Sequence, residues 1–290
     1  MSRRIAVLLT PTRSIELWRT AFRNACGEMG FAYIESAPSA ALEGDALLLS
    51  EDPQQGMAWN ADSWHVVGSA AEDALAASLA WVGDIADATR YVANRLATAD
   101  MLCRRAAATI GFGPVQNIPN FGQVAIPKAS APEEVLEIDK SWLEPLATLY
   151  ATIPVDSRAR ADFGNAWFSF PTCEDAVDGR IQLQGKARSL LAGPTLDIGP
   201  GRWALTIRLE YRNTSQPTAL RVRLSGHSAT KDLVEELGRP GIYELTMEQN
   251  ISTLASVGVE LHLERAALLG ELRILRCDIR HLSGGRGGHG

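Results

Sequence analysis

Hydrophobic and polar side chains alternate along residues 202–211, and this alternation predicts a β-strand with one buried face. Successive side chains leave opposite sides of a strand, so every second residue lies on the same face. Gly199-Pro200-Gly201, directly before the strand, is typical of a turn because glycine tolerates positive φ and proline fixes its own φ. The apolar face would consist of Trp203, Leu205, Ile207, Leu209 and Tyr211.

Four later segments repeat this pattern, with turn-forming residues between most of them. They span residues 220–224, 241–247, 257–263 and 271–279. Short strands at this spacing, with few helix-length patterns between them, are typical of an all-β sandwich or jelly roll. The C-terminal part of the chain is therefore predicted to be a β-sandwich.

The N-terminal part instead combines buried strands with helical periodicity. Residues 5–10 form a continuous apolar run, and residues 14–29 carry an apolar stripe near the helical period of 3.6. Further strands are predicted at residues 31–35, 45–50 and 65–68. Strand–helix–strand order favours an α/β fold with a mainly parallel sheet. An alanine-rich helical region over residues 69–108 would pack in the core or serve as an oligomer interface.

Proline and glycine divide the chain between these two parts. The expected domains are an α/β domain over residues 1–110, a proline-rich and helical connector over 111–160, and a sandwich over 161–282. Within the connector, a helix is predicted over residues 132–150, with Pro145 bending or interrupting it. The glycine-rich tail, residues 283–290, is predicted to be disordered because nothing apolar offsets its ordering entropy.

The stretch AGPTLDIGPGRWALTIRLE, together with the closing LLGELRILRCDIRHL, resembles a known group of domains. It is similar to the strand pair and last core strand of galactose-binding-like jelly rolls. These include carbohydrate-binding modules and domains attached to bacterial surface-polysaccharide glycosyltransferases. The resemblance covers roughly the C-terminal two-fifths of the chain and implies a glycan-associated role. Because a fold hosts many functions, it does not identify the ligand.

Charge and composition exclude some function classes. The 290 residues carry a formal charge of −6, which disfavours the basic footprint of a nucleic-acid binder. No segment approaches the ~20 apolar residues of a membrane span. The apolar run at residues 5–9 is shorter than a signal-peptide core, and the four cysteines form no CxxC pair. A cytoplasmic protein with reduced thiols is expected.

Candidate catalytic residues are few in the N-terminal half. Thr12 and Arg13, at the start of the first helix, could bind an anion, or Thr12 could cap the helix. Their loop lacks the glycine patterns of nucleotide-binding loops. His65, three residues after Asp62, could serve as a general base. Glu51 and Asp52 follow the end of a predicted strand, where ligand crevices form in α/β sheets. No complete catalytic motif is present, so a non-enzymatic role is favoured.

Candidate ligand-binding residues lie on the predicted outward face of the sandwich. These side chains could grip the carboxylate of an acidic glycan, or bind a polar one. No aromatic platform occurs in the best alternating strands, so Trp167 and Tyr243 are the candidate stacking rings. A mixed-charge face of this kind also suits solvent or a domain interface. The outward polar candidates are Arg208, Arg221, Arg223, Glu260 and His262.

One structural calcium site is expected from the family resemblance. Domains of that group often hold calcium between the region before the first core strands and the last strand. Hard carboxylate oxygens suit calcium, although ordinary turn carboxylates give the same pattern. The matching residues in this chain are Glu174, Asp175, Asp178 and Asp278.

Together these observations favour an accessory or binding protein of bacterial surface-polysaccharide metabolism. Its sandwich would bind an oligosaccharide, a polysaccharide or a protein partner. One alternative is a glycosyltransferase-like enzyme that binds a nucleotide sugar in its α/β domain. A second alternative is a homo-oligomeric scaffold in which the long helical region and the charged sheet face are interfaces.

Overall fold

The chain divides into two compact units. Unit 1 comprises Met1–Asp139 and Tyr150–Pro154, and unit 2 comprises Lys140–Leu149 and Val155–Gly290. The computed structural model describes residues 2–36, 43–106, 108–127, 138–171, 176–177, 180–212, 217–226 and 230–282. The predicted domain limits at residues 110, 160 and 282 stay predictions, and the predicted disordered tail lies outside the described residues.

Unit 1 is built around a parallel sheet with the strand order β2-β3-β1-β4-β5. A parallel sheet needs cover on both faces. Phe22 of α1 packs with Leu47 on one face, and Trp59 packs with Leu48 on the other. The predicted parallel α/β sheet is confirmed. Its elements are β1 (Arg4–Leu9), α1 (Ile15–Met29), β2 (Ala32–Ile34), β3 (Ala46–Ser50), α2 (Pro53–Ala58), β4 (Ser63–Gly68), α3 (Ala71–Val82), α4 (Ile85–Arg105), β5 (Thr109–Phe112), β6 (Val115–Ile118) and β7 (Gly122–Ala125).

The structure adds two details of unit 1 that the sequence analysis did not contain. The helical region over residues 69–108 is two helices, because Gly83 takes a left-handed conformation that ends α3 and Asp84 caps α4. After α4, β5 joins the parallel sheet, and β6 and β7 form a hairpin. Phe121 and Val124 of that hairpin belong to the core against α1.

The described residues of unit 2 form two antiparallel sheets, the helix α5 and a short 3-10 helix over Asn165–Trp167. The β12 sheet has the order β15-β12-β17-β10-β9, with β8 also paired to β17, and the β13 sheet has the order β11-β16-β13-β14. The elements are α5 (Lys140–Leu149), β8 (Arg160–Phe163), β9 (Ala176–Val177), β10 (Arg180–Gln182), β11 (Arg188–Ile198), β12 (Gly201–Arg212), β13 (Thr218–Ser225), β14 (Lys231–Leu237), β15 (Gly241–Ile251), β16 (Ala255–Leu263) and β17 (Glu271–Leu282).

The inward faces of these two sheets form one apolar core. Leu205 of the β12 sheet and Leu224 of the β13 sheet line the same small internal space. The Tyr211 hydroxyl also hydrogen-bonds to Thr218 Oγ1 at 2.7 Å, which links β12 to β13. The predicted apolar face of β12, from Trp203 to Tyr211, is buried throughout. Unit 2 is therefore a β-sandwich.

Helix α5 starts later than the prediction and runs through Pro145. Residues 132–137 of the predicted helix lie outside the described residues. Proline has no N–H to donate to the carbonyl four residues earlier, which here belongs to Ser141. The Trp167 indole N–H donates to that carbonyl at 2.8 Å, so a side chain supplies a bond that the helix backbone cannot make.

No helix in the described part of the chain is long and apolar enough to cross a membrane.

Replacing Leu209 by alanine should destabilise unit 2 by about 2 to 5 kcal/mol, because its side chain is fully buried in the sandwich core. Leu275→Ala is the matched control, since Leu275 is 40% exposed on β17 and should cost under about 1 kcal/mol. Calorimetric unfolding of both variants measures the two losses. Equal losses would contradict the assignment of Leu209 to the core.

Lowering the pH should reduce the free energy of unfolding of unit 1, because His65 binds a proton more readily in the unfolded chain. Burial lowers the pKa of this imidazole, while its hydrogen bond to Gln116 acts in the opposite direction. The unfolded chain therefore binds the proton more readily, and stability falls as pH drops below about 6.5, by at most about 1.4 kcal/mol per pH unit. In urea unfolding, the stability advantage of the wild type over His65→Gln should shrink from pH 7.5 to pH 5.5. A constant difference would contradict this account.

Candidate functional site

The outward side of the β13 sheet carries a cluster of polar side chains on three neighbouring strands. Strand register places Arg221 beside His262, and Arg223 beside both Glu260 and Asp232. Alternation in β13 buries Leu220, Val222 and Leu224 and turns the residues between them outward. We call this cluster the polar face; it consists of Arg221, Arg223, Asp232, Glu260, His262 and Glu264.

Ion pairs and hydrogen bonds connect these side chains into one continuous network. Arg221 donates to Glu264 at 2.6 Å and lies 3.9 Å from Asp232. Arg223 donates to both Asp232 oxygens, at 3.0 and 3.3 Å, and lies 3.8 Å from Glu260. His262 Nε2 is 2.9 Å from the Glu260 carboxylate. The order along the face is therefore Glu264, Arg221, Asp232, Arg223, Glu260 and His262.

The electrostatics of the polar face follow from this pairing. The hydrogen bond from Arg223 lowers the pKa of Asp232, so the carboxylate is held ionised. The same contact raises the pKa of Arg223. Two guanidiniums face three carboxylates, so the face has no excess of positive charge. It offers fixed N–H donors beside fixed oxygen acceptors.

Arg208, which the sequence grouped with these residues, lies on the other sheet. It is exposed on β12, in register with Glu244 of β15 and Arg276 of β17. The apolar core lies between the β12 sheet and the β13 sheet, so Arg208 cannot share a ligand atom with Arg221 or Arg223. Alternation tells which residues face outward, but not which of the two sheets they belong to.

The two candidate stacking rings do not lie on the polar face. Trp167 is 7% exposed and contacts the rings of Trp142 and Phe163, because its indole is anchored to α5. Tyr243 is half-buried beside Tyr211, and its hydroxyl donates to the Arg239 carbonyl at 2.7 Å. Burial of the Trp167 ring is inconsistent with an exposed platform for sugar stacking.

Asp278 is the one member of the expected calcium set within the described residues. It is 2% exposed, and its Oδ1 accepts from Arg160 at 2.6 Å and lies 3.3 Å from Arg276. Two guanidiniums thus neutralise the carboxylate. No group of three metal-ligating side chains occurs in the described part of the chain. The other three candidates, Glu174, Asp175 and Asp178, lie outside it.

Thr12 and Arg13 contact a carboxylate of this chain. The Thr12 hydroxyl donates to Asp73 at 2.6 Å, and Arg13 Nε donates to the same carboxylate at 2.8 Å. Thr12 Oγ1 also accepts the backbone N–H of Ser14 at the start of α1. The side chains have the chemistry to hold an anion, and in this structure the anion is Asp73 at the start of α3.

Asp62 and His65 do not form a proton-transfer pair. Asp62 accepts the backbone N–H of Arg4, whereas His65 is buried and hydrogen-bonds to Thr109 at 2.6 Å and Gln116 at 3.1 Å. The Cys26 thiol is a poor nucleophile, because burial raises its pKa to about 11.

Glu51 and Asp52 do line a cleft in unit 1, at the carboxyl ends of β1 and β3. The helices that follow these strands cover opposite faces of the sheet, which is where ligand crevices form in α/β sheets. The cleft has a volume of about 220 Å³, and Arg19 of α1 donates to Glu51 there at 2.9 Å. The strand-end position of these carboxylates was predicted from sequence; Arg19 and Glu35, which also line the cleft, were not.

Sequence reasoning also missed Asp232 and Glu264 of the polar face. Both are paired with arginines that lie on another strand, and the pairing depends on the β13–β14 and β13–β16 registers. A charged residue on the strand after an alternating strand is the only sequence signal for such a partner.

Comparison with solved structures gives several carbohydrate-binding modules. The CBM36-1 domain of a multidomain xylanase from the hindgut metagenome of Trinervitermes trinervoides is 22% identical, with 37% of this chain and 78% of that chain covered and a TM-score of 0.26. The CBM22-1 xylan-binding domain of Paenibacillus barcinonensis Xyn10C is 15% identical, covering 43% and 87%, with a TM-score of 0.28. TmCBM61, solved with β-1,4-galactotriose, is 7% identical, covering 42% and 86%, with a TM-score of 0.27.

The sequence resemblance named the same group of domains. No protein-family model matches this chain, and no curated protein does. The description of unit 2 as a sandwich rests on its own strand pairing and buried core.

Arg223→Gln should raise the pKa of Asp232 towards the ordinary aspartate value, because the hydrogen bond that stabilises the carboxylate is removed. A pH titration of the side-chain carboxyl carbon by NMR measures the change. Arg202→Gln, which removes a guanidinium paired with Glu248 on the other sheet, is the control and should leave Asp232 unchanged. An unchanged Asp232 in Arg223→Gln would show that the pair does not form in solution.

Proposed function

We propose that this protein is a non-catalytic binding protein whose sandwich binds a neutral, hydroxyl-rich saccharide on the polar face. The observation that carries the proposal is the network of alternating guanidiniums and carboxylates that runs from Glu264 to His262. A sugar hydroxyl both donates and accepts hydrogen bonds. It can therefore donate to Asp232 or Glu260 while it accepts from the adjacent Arg223.

The pairing within the polar face supports a neutral ligand over an acidic one. Both arginine forks are already engaged by carboxylates of this chain, so an added carboxylate would have to displace one of them. A sugar hydroxyl can instead form a hydrogen bond to an arginine or a carboxylate while the ion pair between them stays intact. The pairs also hold the long side chains in place before binding, which reduces the ordering cost.

An apolar side chain completes the surface. Val234 is 55% exposed and lies beside Arg221 in register, where it can contact the C–H side of a sugar ring. Strands β13, β14 and β16 contain no tryptophan, tyrosine or phenylalanine, so affinity should be modest, with a Kd of about 10 to 1,000 µM.

The wider setting is the one that the sequence resemblance implies. We place the protein in bacterial surface-polysaccharide metabolism as an accessory factor, with a cytoplasmic location and a jelly-roll arrangement of the sandwich. A protein partner belongs to the same hypothesis, whereas a homo-oligomeric scaffold built through α3 and α4 is an alternative to it. Leu79 and Val82, half-buried on α3, are the residues whose charge substitution would test the oligomer.

A second candidate function is a nucleotide-sugar-binding enzyme, and the cleft at Glu51 and Asp52 is the observation that favours it. Its ligand site would lie in that cleft, because Thr12 and Arg13 are engaged by Asp73. Protection of Glu51 and Asp52 amides from hydrogen exchange by a nucleotide sugar would support this candidate.

Arg223→Gln should weaken binding of β-1,4-galactotriose or xylohexaose by about tenfold, since it removes donors from the centre of the polar face. Titration calorimetry measures the affinity. The surface position of the pair means that folding should be little affected.

Arg202→Gln on the other sheet is the control and should bind as the wild type does. Binding of neither oligosaccharide to the folded wild type, or equal weakening by both variants, would rule out the polar face as the neutral-saccharide site.

A further inference from the structure

The outward side of the β12 sheet carries a second arginine cluster with a different charge balance. Arg208 of β12 is beside Arg276 of β17, and Arg273 lies beyond a bulge, opposite Glu210. All three arginines are exposed. We call them the arginine cluster. The bulge between Arg208 and Leu209 brings Arg273 and Arg276 to the same side although they are three residues apart.

Most acidic residues around the arginine cluster are already paired. Asp162 and Asp278 bind Arg276 and Arg160. Glu210, the register neighbour of Arg273, accepts two hydrogen bonds from Arg212, at 2.8 and 2.9 Å.

Two guanidiniums of the cluster form no ion pair with these carboxylates. Arg208 and Arg273 form no ion pair or side-chain hydrogen bond with any of the residues that the structure describes. Glu244 lies opposite Arg208 in register, but not within the 4.0 Å of an ion pair. The polar face differs, because each of its arginines is held by a carboxylate of the chain.

Geometry allows the two unpaired guanidiniums to converge. Arg208 and Arg273 occupy diagonal positions on adjacent strands, where Cα atoms lie about 7 to 8 Å apart. Long side chains reach across that distance. A guanidinium presents a planar fork of N–H donors that matches the two oxygens of a carboxylate.

We propose that the arginine cluster binds the carboxylate of an acidic saccharide, such as a hexuronate unit. The inference rests on the proposed function in taking a saccharide as the ligand, but it concerns a separate face and a different charge class. The sandwich would then bind neutral sugar units on one outward side and acidic units on the other. A phosphate group shares the anionic chemistry, so the test includes a phosphate probe beside the carboxylate.

The test is titration calorimetry at about 150 mM salt, where weak surface attraction is largely screened. The probes are trigalacturonate, β-1,4-galactotriose and inorganic triphosphate. The double variant Arg208→Gln/Arg273→Gln should bind trigalacturonate at least about tenfold more weakly than the wild type, since two charge-assisted contacts are lost. Arg23→Gln/Arg90→Gln removes the same charge from exposed positions of unit 1 and should change the affinity less than about twofold.

Three results would overturn the inference: no binding of trigalacturonate to the folded wild type, equal weakening by the control variant, or equally tight binding of triphosphate at the same arginines. The titration with galactotriose distinguishes a failure of the arginine-cluster proposal from a failure of the polar-face proposal. If galactotriose still binds while trigalacturonate does not, only the arginine-cluster inference fails. If trigalacturonate binds and galactotriose does not, only the neutral-saccharide proposal fails.

Discussion

The two-sided geometry of a β-strand is the constraint on which unit 2 depends. In β12 and β13, every second side chain enters a shared core, and the residues between them are forced outward. The core from Trp203 to Tyr211 therefore determines where the charged residues lie. Because two sheets enclose that core, the sandwich has two separate outward faces, each with its own set of arginines.

The two faces differ in how their arginines are paired. On the β13 sheet, register brings Asp232 and Glu264 to the arginines, and an alternating network results. On the β12 sheet, Glu210 pairs with Arg212, which leaves Arg273 without an acid among the described residues. Strand register thus decides which arginines of the sandwich are held by a carboxylate of the chain.

The sequence predicted what depends on local periodicity. Alternation identified β12 and its buried face, and apolar runs identified the parallel strands of unit 1. The sequence did not predict contacts between residues that are far apart along the chain. Alternation could not show that Arg208 and Arg221 lie on different sheets. No local pattern indicated that Asp73 would bind Thr12 and Arg13. The burial of Trp167 was also hidden, because its indole N–H is held by the carbonyl of Ser141, 26 residues earlier in the chain.

The most direct test of the account is an NMR titration that observes the arginine Nε–Hε groups while β-1,4-galactotriose is added. If the polar face binds the sugar, the Arg221 and Arg223 signals shift together and saturate, whereas the signal of Arg202, on the opposite sheet, stays in place. Shifts confined to Arg19 in the cleft of unit 1, or no shift of any arginine at high sugar concentration, would contradict the claim that the polar face binds a neutral saccharide.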